Sequence, residues 1–505
     1  MLERYVKKIL SSRVYDLAQE SPLQLAQGLS ERMANNILLK REDLQSVFSF
    51  KLRGAYNKMA QLSPDQAEIG VITASAGNHA QGVALAASSL GMKATVVMGR
   101  NTPDIKVDAV RRHGAKVVLH GDGYDAASAH AHELAQREGF TYVHPFDDPE
   151  VIAGQGTVGM EILNQHSGAL DAIYVPVGGG GLIGGIAAYV KYLRPEVQVI
   201  GVEAEGSACL QAALQAGRRI RLPAETLDLF ADGVSVAQIG KENFSIARKF
   251  VDEVVTVSTD EICGAVKDVF DDTRVLAEPS GALAIAGMKK HVAIAQKRGQ
   301  TLVAIVSGAN VNFDRLRHIS ERAELGEARE AILGVSIPEQ AGSFHRFCKQ
   351  LGKRGITEFN YRYAGGSDAQ VYVGLKTDTL ADRAALVGKL RAAHYAVEDM
   401  TDNEAAKLHV RHMVGGRGRD TESELLYRFE FPERPGALLK FLTVLGKRWN
   451  ISMFHYRNHG AAWGRVLIGF QAAPADARKL QAYLKKIGYR FWEESDNPAY
   501  QLFLR

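Results

Sequence analysis

Asp171-Ala-Ile-Tyr-Val-Pro-Val177-Gly178-Gly179-Gly180-Gly181-Leu182-Ile183-Gly184-Gly-Ile-Ala-Ala-Tyr-Val-Lys-Tyr-Leu193 is the stretch that decides the fold. Its first seven residues form an apolar strand candidate. Four glycines follow, then a helical stretch from Ile183 to Leu193. A strand running into a helix through glycines places several backbone N–H groups at a helix N-terminus, where the helix dipole is positive. The expected guest is a phosphate. Gly179, Gly181 and Gly184 also satisfy GxGxxG, and Glu203 ends the next strand candidate 24 residues beyond Gly179. That spacing keeps a dinucleotide-binding oxidoreductase open.

The same alternation extends outward from this stretch. Strands are expected at Ile69–Ala74, Ala94–Met98, Lys116–Leu119, Ala172–Val177, Val197–Val202 and Leu302–Ser307. Helices are expected at His79–Leu90 and Asp104–His113. The strand candidates are nearly unbroken apolar runs, which suits a parallel sheet buried on both faces. The expected class is α/β with helices on both sides.

Three further features could carry chemistry. Thr73-Ala-Ser75-Ala76-Gly77-Asn78-His79-Ala-Gln81-Gly82 also joins a strand to a helix. Its small and polar residues suit a carboxylate or a ring oxygen, and Ser75 or Asn78 could serve as helix cap. In Ser49-Phe50-Lys51-Leu52-Arg53-Gly54 a lysine follows Phe48 and Phe50. A lone lysine is ordinarily solvated. An apolar setting would lower its pKa and make it an amine able to form a Schiff base. In Val303–Ser307-Gly308-Ala309-Asn310, Ser307 ends a strand, where ligands bind in open α/β sheets.

The chain changes character after residue 310. Phe313 to Glu330 is rich in Arg and Glu and reads as a connecting helix. Beyond it lies a repeat. Ile337-Pro-Glu-Gln-Ala-Gly342 through Arg354 matches Phe431-Pro-Glu-Arg-Pro-Gly436 through Arg448, with Pro338 and Pro432 94 residues apart. Phe359-Asn-Tyr-Arg362 matches Phe454-His-Tyr-Arg457, Val371–Leu375 matches Val466–Phe470, and Asp402-Asn403 matches Asp496-Asn497. Each copy reads as a ferredoxin-like βαββαβ unit, either a duplicated packing module or a pair of small-molecule sensors.

Composition narrows the partners. The 505 residues are 46% hydrophobic and 23% charged, which excludes a disordered or fibrous chain. A formal charge of +4 leaves no electrostatic footprint for nucleic acid. Cys209, Cys263 and Cys348 have neither zinc nor disulfide spacing and read as reduced thiols. No stretch reaches the ~20 apolar residues of a membrane helix. Met1 to Glu20 lacks the unbroken apolar core of a secretory signal, so the expected location is the cytoplasm.

Taken together, Ser49-Phe50-Lys51, the Ser75–Gly82 loop, Gly178–Leu182 and Ser307–Asn310 resemble the pyridoxal-phosphate serine/threonine dehydratases. These belong to the fold type II, tryptophan synthase β-like group. The duplicated tail narrows the resemblance to the biosynthetic threonine deaminases, over nearly the whole chain. Catabolic dehydratases lack that tail.

The resemblance implies a two-lobed catalytic domain at 1–312, a connector at 313–329, and ACT-like regulatory α+β domains at 330–402 and 424–496. It implies that Lys51 carries pyridoxal 5'-phosphate as a Schiff base and acts as the catalytic base. Gly178, Gly179, Gly180, Gly181 and Leu182 would hold the phosphate. Asn78 would bond the ring hydroxyl, Phe50 would pack near the ring, and Ser307 would face the ring nitrogen. Ser75, Ala76, Gly77, Asn78 and His79 would take the substrate carboxylate. L-threonine (and L-serine) would be deaminated, threonine giving 2-oxobutanoate and ammonia. Isoleucine would inhibit, valine would oppose it, and the assembly would be a homotetramer. Related serine racemases carry a second serine where Ala76 stands, which argues against racemisation. They also bind a metal near the strand matching Val199–Glu203, where Cys209 replaces an acid here; no metal is expected.

Overall fold

A computed structural model describes residues 1–100, 102–121, 123–313, 315–326, 329–362, 367–403, 406, 410, 424–432, 437–445, 449–457, 463–472, 474–497 and 500. The chain divides into two compact units, Met1–Ala323 and Glu324–Arg505.

Among its described residues the first unit contains ten strands. They are β1 (Leu23–Leu25), β2 (Asn36–Arg41), β3 (Val71–Ala74), β4 (Ala94–Met98), β5 (Lys116–Leu119), β6 (Thr141–Tyr142), β7 (Ala172–Pro176), β8 (Gln198–Ala204), β9 (Glu253–Val257) and β10 (Thr301–Val306). They form two sheets, one per lobe. The larger has the order β1-β2-β10-β7-β8-β9 and the smaller β5-β4-β3-β6. All pairings are parallel except β1 with β2 at one edge. The central strands β7 and β10 lie in register with Ile173 opposite Val303. Their side chains are almost wholly buried, as apolar runs covered on both faces must be.

This topology positions the chemistry. β3 leads into Ser75–His79, β7 into Gly178–Gly181, and β10 into Ser307. β2 leads through a short turn at Glu42–Leu44 to Lys51. All four candidate motifs therefore follow the carboxyl ends of parallel strands, where an open α/β sheet leaves its ligand crevice.

Glycines set the spacing of the helices beneath these motifs. A Cβ at Gly54, in the helix Lys51–Met59, would lie 2.7 Å from the Val151 carbonyl. One at Gly185, in the helix Gly181–Leu193, would lie 2.4 Å from the Ile152 carbonyl. Val151 and Ile152 belong to the helix Pro149–Gln165, which starts with Pro149 and the Asp148 side chain accepting the Glu150 and Val151 amides. The Lys51 helix and the phosphate-loop helix are thus both packed backbone-to-backbone on one central helix.

The second unit contains β11 (Glu330–Pro338), β12 (Ile356–Arg362), β13 (Asp368–Lys376), β14 (Ala396–Asp399), β15 (Glu424–Pro432), β16 (Asn450–Arg457), β17 (Trp463–Gln471) and β18 (Arg490–Glu493). Helices Ser343–Leu351 and Leu380–Ala392 complete the first copy, and Ala437–Leu445 and Ala477–Ile487 the second. Both are βαββαβ units. They share one antiparallel sheet, ordered β14-β11-β13-β12-β16-β17-β15-β18. The seam pairs Phe359 with Tyr456, Asn360 with His455, and Tyr361 with Phe454. Since the repeat equates 359 with 454 and 361 with 456, the duplicated edges meet about a local twofold through Asn360 and His455. Phe359 and Phe454 pack edge-on at 5.4 Å across it. Gly342 takes a left-handed backbone (φ 88°) immediately before its helix; Gly436 lies outside the described residues.

Several expected boundaries shift. The connecting helix spans Arg315–Gly326, because Glu330 already opens β11. The strand placed at Ile69–Ala74 begins at Val71, since Ile69 ends the helix Pro64–Ile69, launched by a Ser63 capping box.

Candidate active site

Lys51 is the first residue of its helix and is partly buried. Its Nζ donates to the Pro145 carbonyl at 3.2 Å and lies 5.2 Å from the Phe50 ring centre. Burial disfavours the charged amine and lowers its pKa to about 8, while the Glu278 carboxylate pulls the other way. The apolar setting expected from two phenylalanines comes from one of them. Phe50 packs against the core, whereas Phe48 is 56% exposed at a left-handed backbone position (φ 56°).

The glycine loop meets Lys51 through the segment His144-Pro145-Phe146-Asp147. Pro145 supplies the carbonyl at the amine, and the next side chain, Phe146, lies against Gly179. The Phe146 and Asp147 amides donate to His144 Nδ1 at 3.2 and 2.8 Å, which closes the turn. Burial lowers the His144 pKa to about 4, so the ring is neutral and can accept. Asn243 ties the same pieces together, its Nδ2 donating to the Phe146 and Gly179 carbonyls at 2.9 Å each. The sequence signal for the His144 turn is the proline-flanked run His144-Pro-Phe-Asp-Asp-Pro149; Asn243 lies outside it.

Gly180 occupies the cap position of helix Gly181–Leu193 with φ 91°, and no side chain caps that helix. Its first-turn amides are thereby left to an external acceptor, as a phosphate needs. A Cβ at Gly179 would lie 2.2 Å from the Phe146 ring. Gly179→Ala is therefore expected to displace Phe146, and Pro145 with it. The expected cost is about 1–3 kcal/mol of stability, together with weaker capture of pyridoxal phosphate by the apoprotein. Titration followed by absorbance measures the second effect, and unchanged affinity would separate the loop from the Lys51 pocket.

The Ser75–His79 loop opens the helix Asn78–Leu90. Neither Ser75 nor Asn78 caps that helix as expected. The cap position is Gly77, without a side-chain cap, and the Ser75 hydroxyl accepts the Gly77 amide at 3.3 Å. The Asn78 side chain lies between Glu278 and Asn310. The His79 ring is buried and turned to the Val143 carbonyl at 3.0 Å, with its pKa lowered to about 3 by burial and by Lys51. What His79 offers the loop is its backbone.

Ser307 is buried after β10, its hydroxyl donating to the Ser280 carbonyl at 3.2 Å. The turn carrying it pairs with the Lys51 segment: Ser49 bridges to Gly308, and the Phe50 amide donates to the Ser307 carbonyl at 3.3 Å.

Glu203 does not serve as the acid of a dinucleotide site. Its buried carboxylate accepts the Leu210 and Gln211 amides at 2.8 and 2.9 Å, at the start of the helix Cys209–Ala216. Cys209 donates to the Gly178 carbonyl at 3.4 Å.

These residues fit a group with a phosphate at one end and an aldehyde at the other. An uncapped glycine turn suits the anion, and a partly buried amine of lowered pKa suits the carbonyl.

Comparison with known proteins agrees. The family described as "Pyridoxal-phosphate dependent enzyme" matches residues 14–308. The "C-terminal regulatory domain of Threonine dehydratase" matches twice, at 321–410 and 415–504. L-threonine dehydratase biosynthetic IlvA of Burkholderia multivorans is 54% identical over 503 residues, 99% of each chain. Its Escherichia coli counterpart is 53% identical over 501 residues, covering 99% of this chain and 97% of its own. Among solved structures, the processed form of threonine deaminase isoform 2 from Solanum lycopersicum has a TM-score of 0.62 at 49% identity, covering 64% of this chain and 93% of that one. Serine racemase from Dictyostelium discoideum has a TM-score of 0.57 at 31% identity, covering 62% of this chain and 99% of that one. The chain belongs to the biosynthetic threonine dehydratases, pyridoxal-phosphate-dependent lyases with a C-terminal regulatory region.

Proposed function

We propose that this chain converts L-threonine to 2-oxobutanoate and ammonia with Lys51 as its one catalytic side chain, and that L-serine is a second substrate. The observation that carries the reading is the partly buried Lys51 amine, with its pKa near 8, at the carboxyl ends of the strands that also present the glycine loop and Ser307. Pyridoxal phosphate, when bound, would supply the electron sink that takes up the pair left by the α-proton and returns it to expel the β-hydroxyl, which leaves as water with a proton from the cofactor phosphate.

The protein's own groups divide the remaining work. Lys51 holds the cofactor, then, freed by the substrate amine, takes the α-proton at Nζ as general base. The amides of Gly178 through Leu182 bind the phosphate. Asn78 bonds the ring hydroxyl, and Phe50 packs beside the ring. Ser75, Ala76, Gly77, Asn78 and His79 hold the substrate carboxylate at the uncapped helix start. Ser307, a neutral hydroxyl at the ring nitrogen, cannot stabilise a protonated pyridine as a carboxylate would. That favours elimination over transamination.

We further propose that residues 330–402 and 424–496 form an ACT-like pair where isoleucine inhibits and valine opposes it. The doubled match to a regulatory domain supports this reading. The working form would be a cytoplasmic homotetramer; among the described residues no helix is long and apolar enough to cross a membrane.

The test is a 2-oxobutanoate assay on purified protein, with threonine or serine, and with or without isoleucine and valine. Yellow absorbance and turnover that falls with isoleucine and recovers with valine are expected. A protein that gains no absorbance from added pyridoxal phosphate would refute the catalytic reading. Turnover indifferent to isoleucine would remove the regulatory one alone.

A further inference from the structure

The Asn78 amide is held at both ends. Its Nδ2 donates to Glu278 Oε1 at 2.5 Å, and its Oδ1 accepts from Asn310 Nδ2 at 2.6 Å. The same Asn310 Nδ2 donates to the Val47 backbone carbonyl at 2.8 Å. A backbone carbonyl can only accept, so Val47 fixes the end of Asn310 that carries the NH2 group. Both hydrogens of that group are then committed, one to Val47 and one to Asn78. Asn78 must meet it with oxygen and therefore turns its nitrogen to Glu278, which accepts. The chain Val47, Asn310, Asn78, Glu278 has one polarity, imposed by a main-chain atom four residues before Lys51.

Space for this arrangement is built in. A Cβ at Gly308 would lie 2.5 Å from Glu278 Oε1 and 3.3 Å from Asn78 Nδ2. Burial, with the nearby Asp232 charge, raises the Glu278 pKa to about 7. Protonation does not reverse the chain, because a neutral carboxyl keeps an accepting oxygen. Glu278 takes one hydrogen of the Asn78 NH2 group and leaves the other to donate.

We propose that Glu278 and Asn310 are positioning residues for the dehydratase reaction, locking the Asn78 amide so that it offers an N–H, and never its carbonyl, to the ring oxygen of pyridoxal phosphate. This rests on the reading of Asn78 given above.

A double-mutant cycle tests it. Apoprotein of the full chain is titrated with pyridoxal phosphate, following absorbance and intrinsic fluorescence. Asn78→Ala is expected to weaken binding about tenfold, the worth of one hydrogen bond to a charged oxygen. Asn310→Ala should weaken it several-fold and displace the pH midpoint of the yellow band in the same direction as Asn78→Ala. The double variant should bind no more weakly than Asn78→Ala alone, because Asn310 acts only through Asn78. Glu278→Gln, which keeps an accepting oxygen, should bind more tightly than Glu278→Ala. Losses that add fully in the double variant, or wild-type affinity in Asn310→Ala, would overturn the proposal. Should Glu278→Ala fail to fold, the Asn310 cycle decides. A wild-type apoprotein that gains no yellow band would refute the catalytic reading instead.

Discussion

Lys51→Ala is expected to lower threonine turnover by at least about 10³-fold, the scale on which a positioned base acts, and to abolish the lysine-bound absorbance. Lys51→Arg should be as inactive, because a guanidinium neither forms the imine nor gives up its proton near neutral pH. Borohydride reduction of the wild-type holoenzyme followed by peptide mapping should place the label on Lys51. A label on Lys40 or Lys58 instead would overturn the assignment. The pH dependence has a definite sign. The amine captures the aldehyde only when neutral, and its pKa is lowered from 10.5 to about 8. Capture by apoprotein should therefore accelerate as pH rises from 6 to 9, with a midpoint near 8. A midpoint near 10.5 would mean that the amine is solvated.

How much of this was legible in the sequence depends on which interactions are local. Strand, glycine turn and helix are written in consecutive residues, so the positions of Gly178–Gly181, Ser75–His79 and Ser307 could be read directly. The tail was legible because duplication repeats every structural signal at an offset of 94 or 95 residues. The seam between the copies was not, because nothing in β12 or β16 alone states which edge each will meet. Partners from distant segments were equally hidden. Glu278 reaches Asn78 across 200 residues and Asn243 reaches Gly179 across 64. Phe48 misled because its neighbours suggested an apolar pocket, while its left-handed backbone turns it to solvent. Glycine stands out in the sequence where it clusters or ends a repeated turn, as at Gly178–Gly181 and Gly342. Isolated Gly54 and Gly154 allow helices to touch backbone-to-backbone, a role that shows only once the helices are packed.

The largest loss of stability is expected from Arg53, two residues past Lys51. It is fully buried, and its guanidinium meets two carboxylates at once. Nε and Nη2 donate to Glu42 at 2.7 and 2.8 Å, and Nη1 and Nη2 to Glu161 at 2.5 and 3.0 Å. Thr157 Oγ1 and the Gln19 carbonyl take further bonds at 3.1 Å each. Lys40, also fully buried, donates to Glu161 at 2.6 Å and balances the fourth charge. Burial works against the Glu42 carboxylate, but Arg53, Ser21 and Lys40 together outweigh it and hold its pKa below the ordinary range. Arg53→Met leaves two buried carboxylates facing one lysine, and removing one partner of such a pair typically costs about 3–5 kcal/mol. Arg53→Lys should be nearly as damaging, because a single ammonium cannot fork to both acids. Chemical denaturation of the two variants measures the loss, and a change under about 1 kcal/mol would mean that the network is open to water. The sign with pH follows from Glu42. A carboxyl whose folded pKa is depressed stabilises the fold above its unfolded pKa and loses that contribution as pH falls. The wild type should therefore weaken below about pH 4.5, and Glu42→Gln, less stable at pH 7, should show a flatter acid limb. Because Gly54 holds this helix against the Pro149–Gln165 helix, displacing Arg53 should also move Lys51, so cofactor capture is expected to fall together with stability.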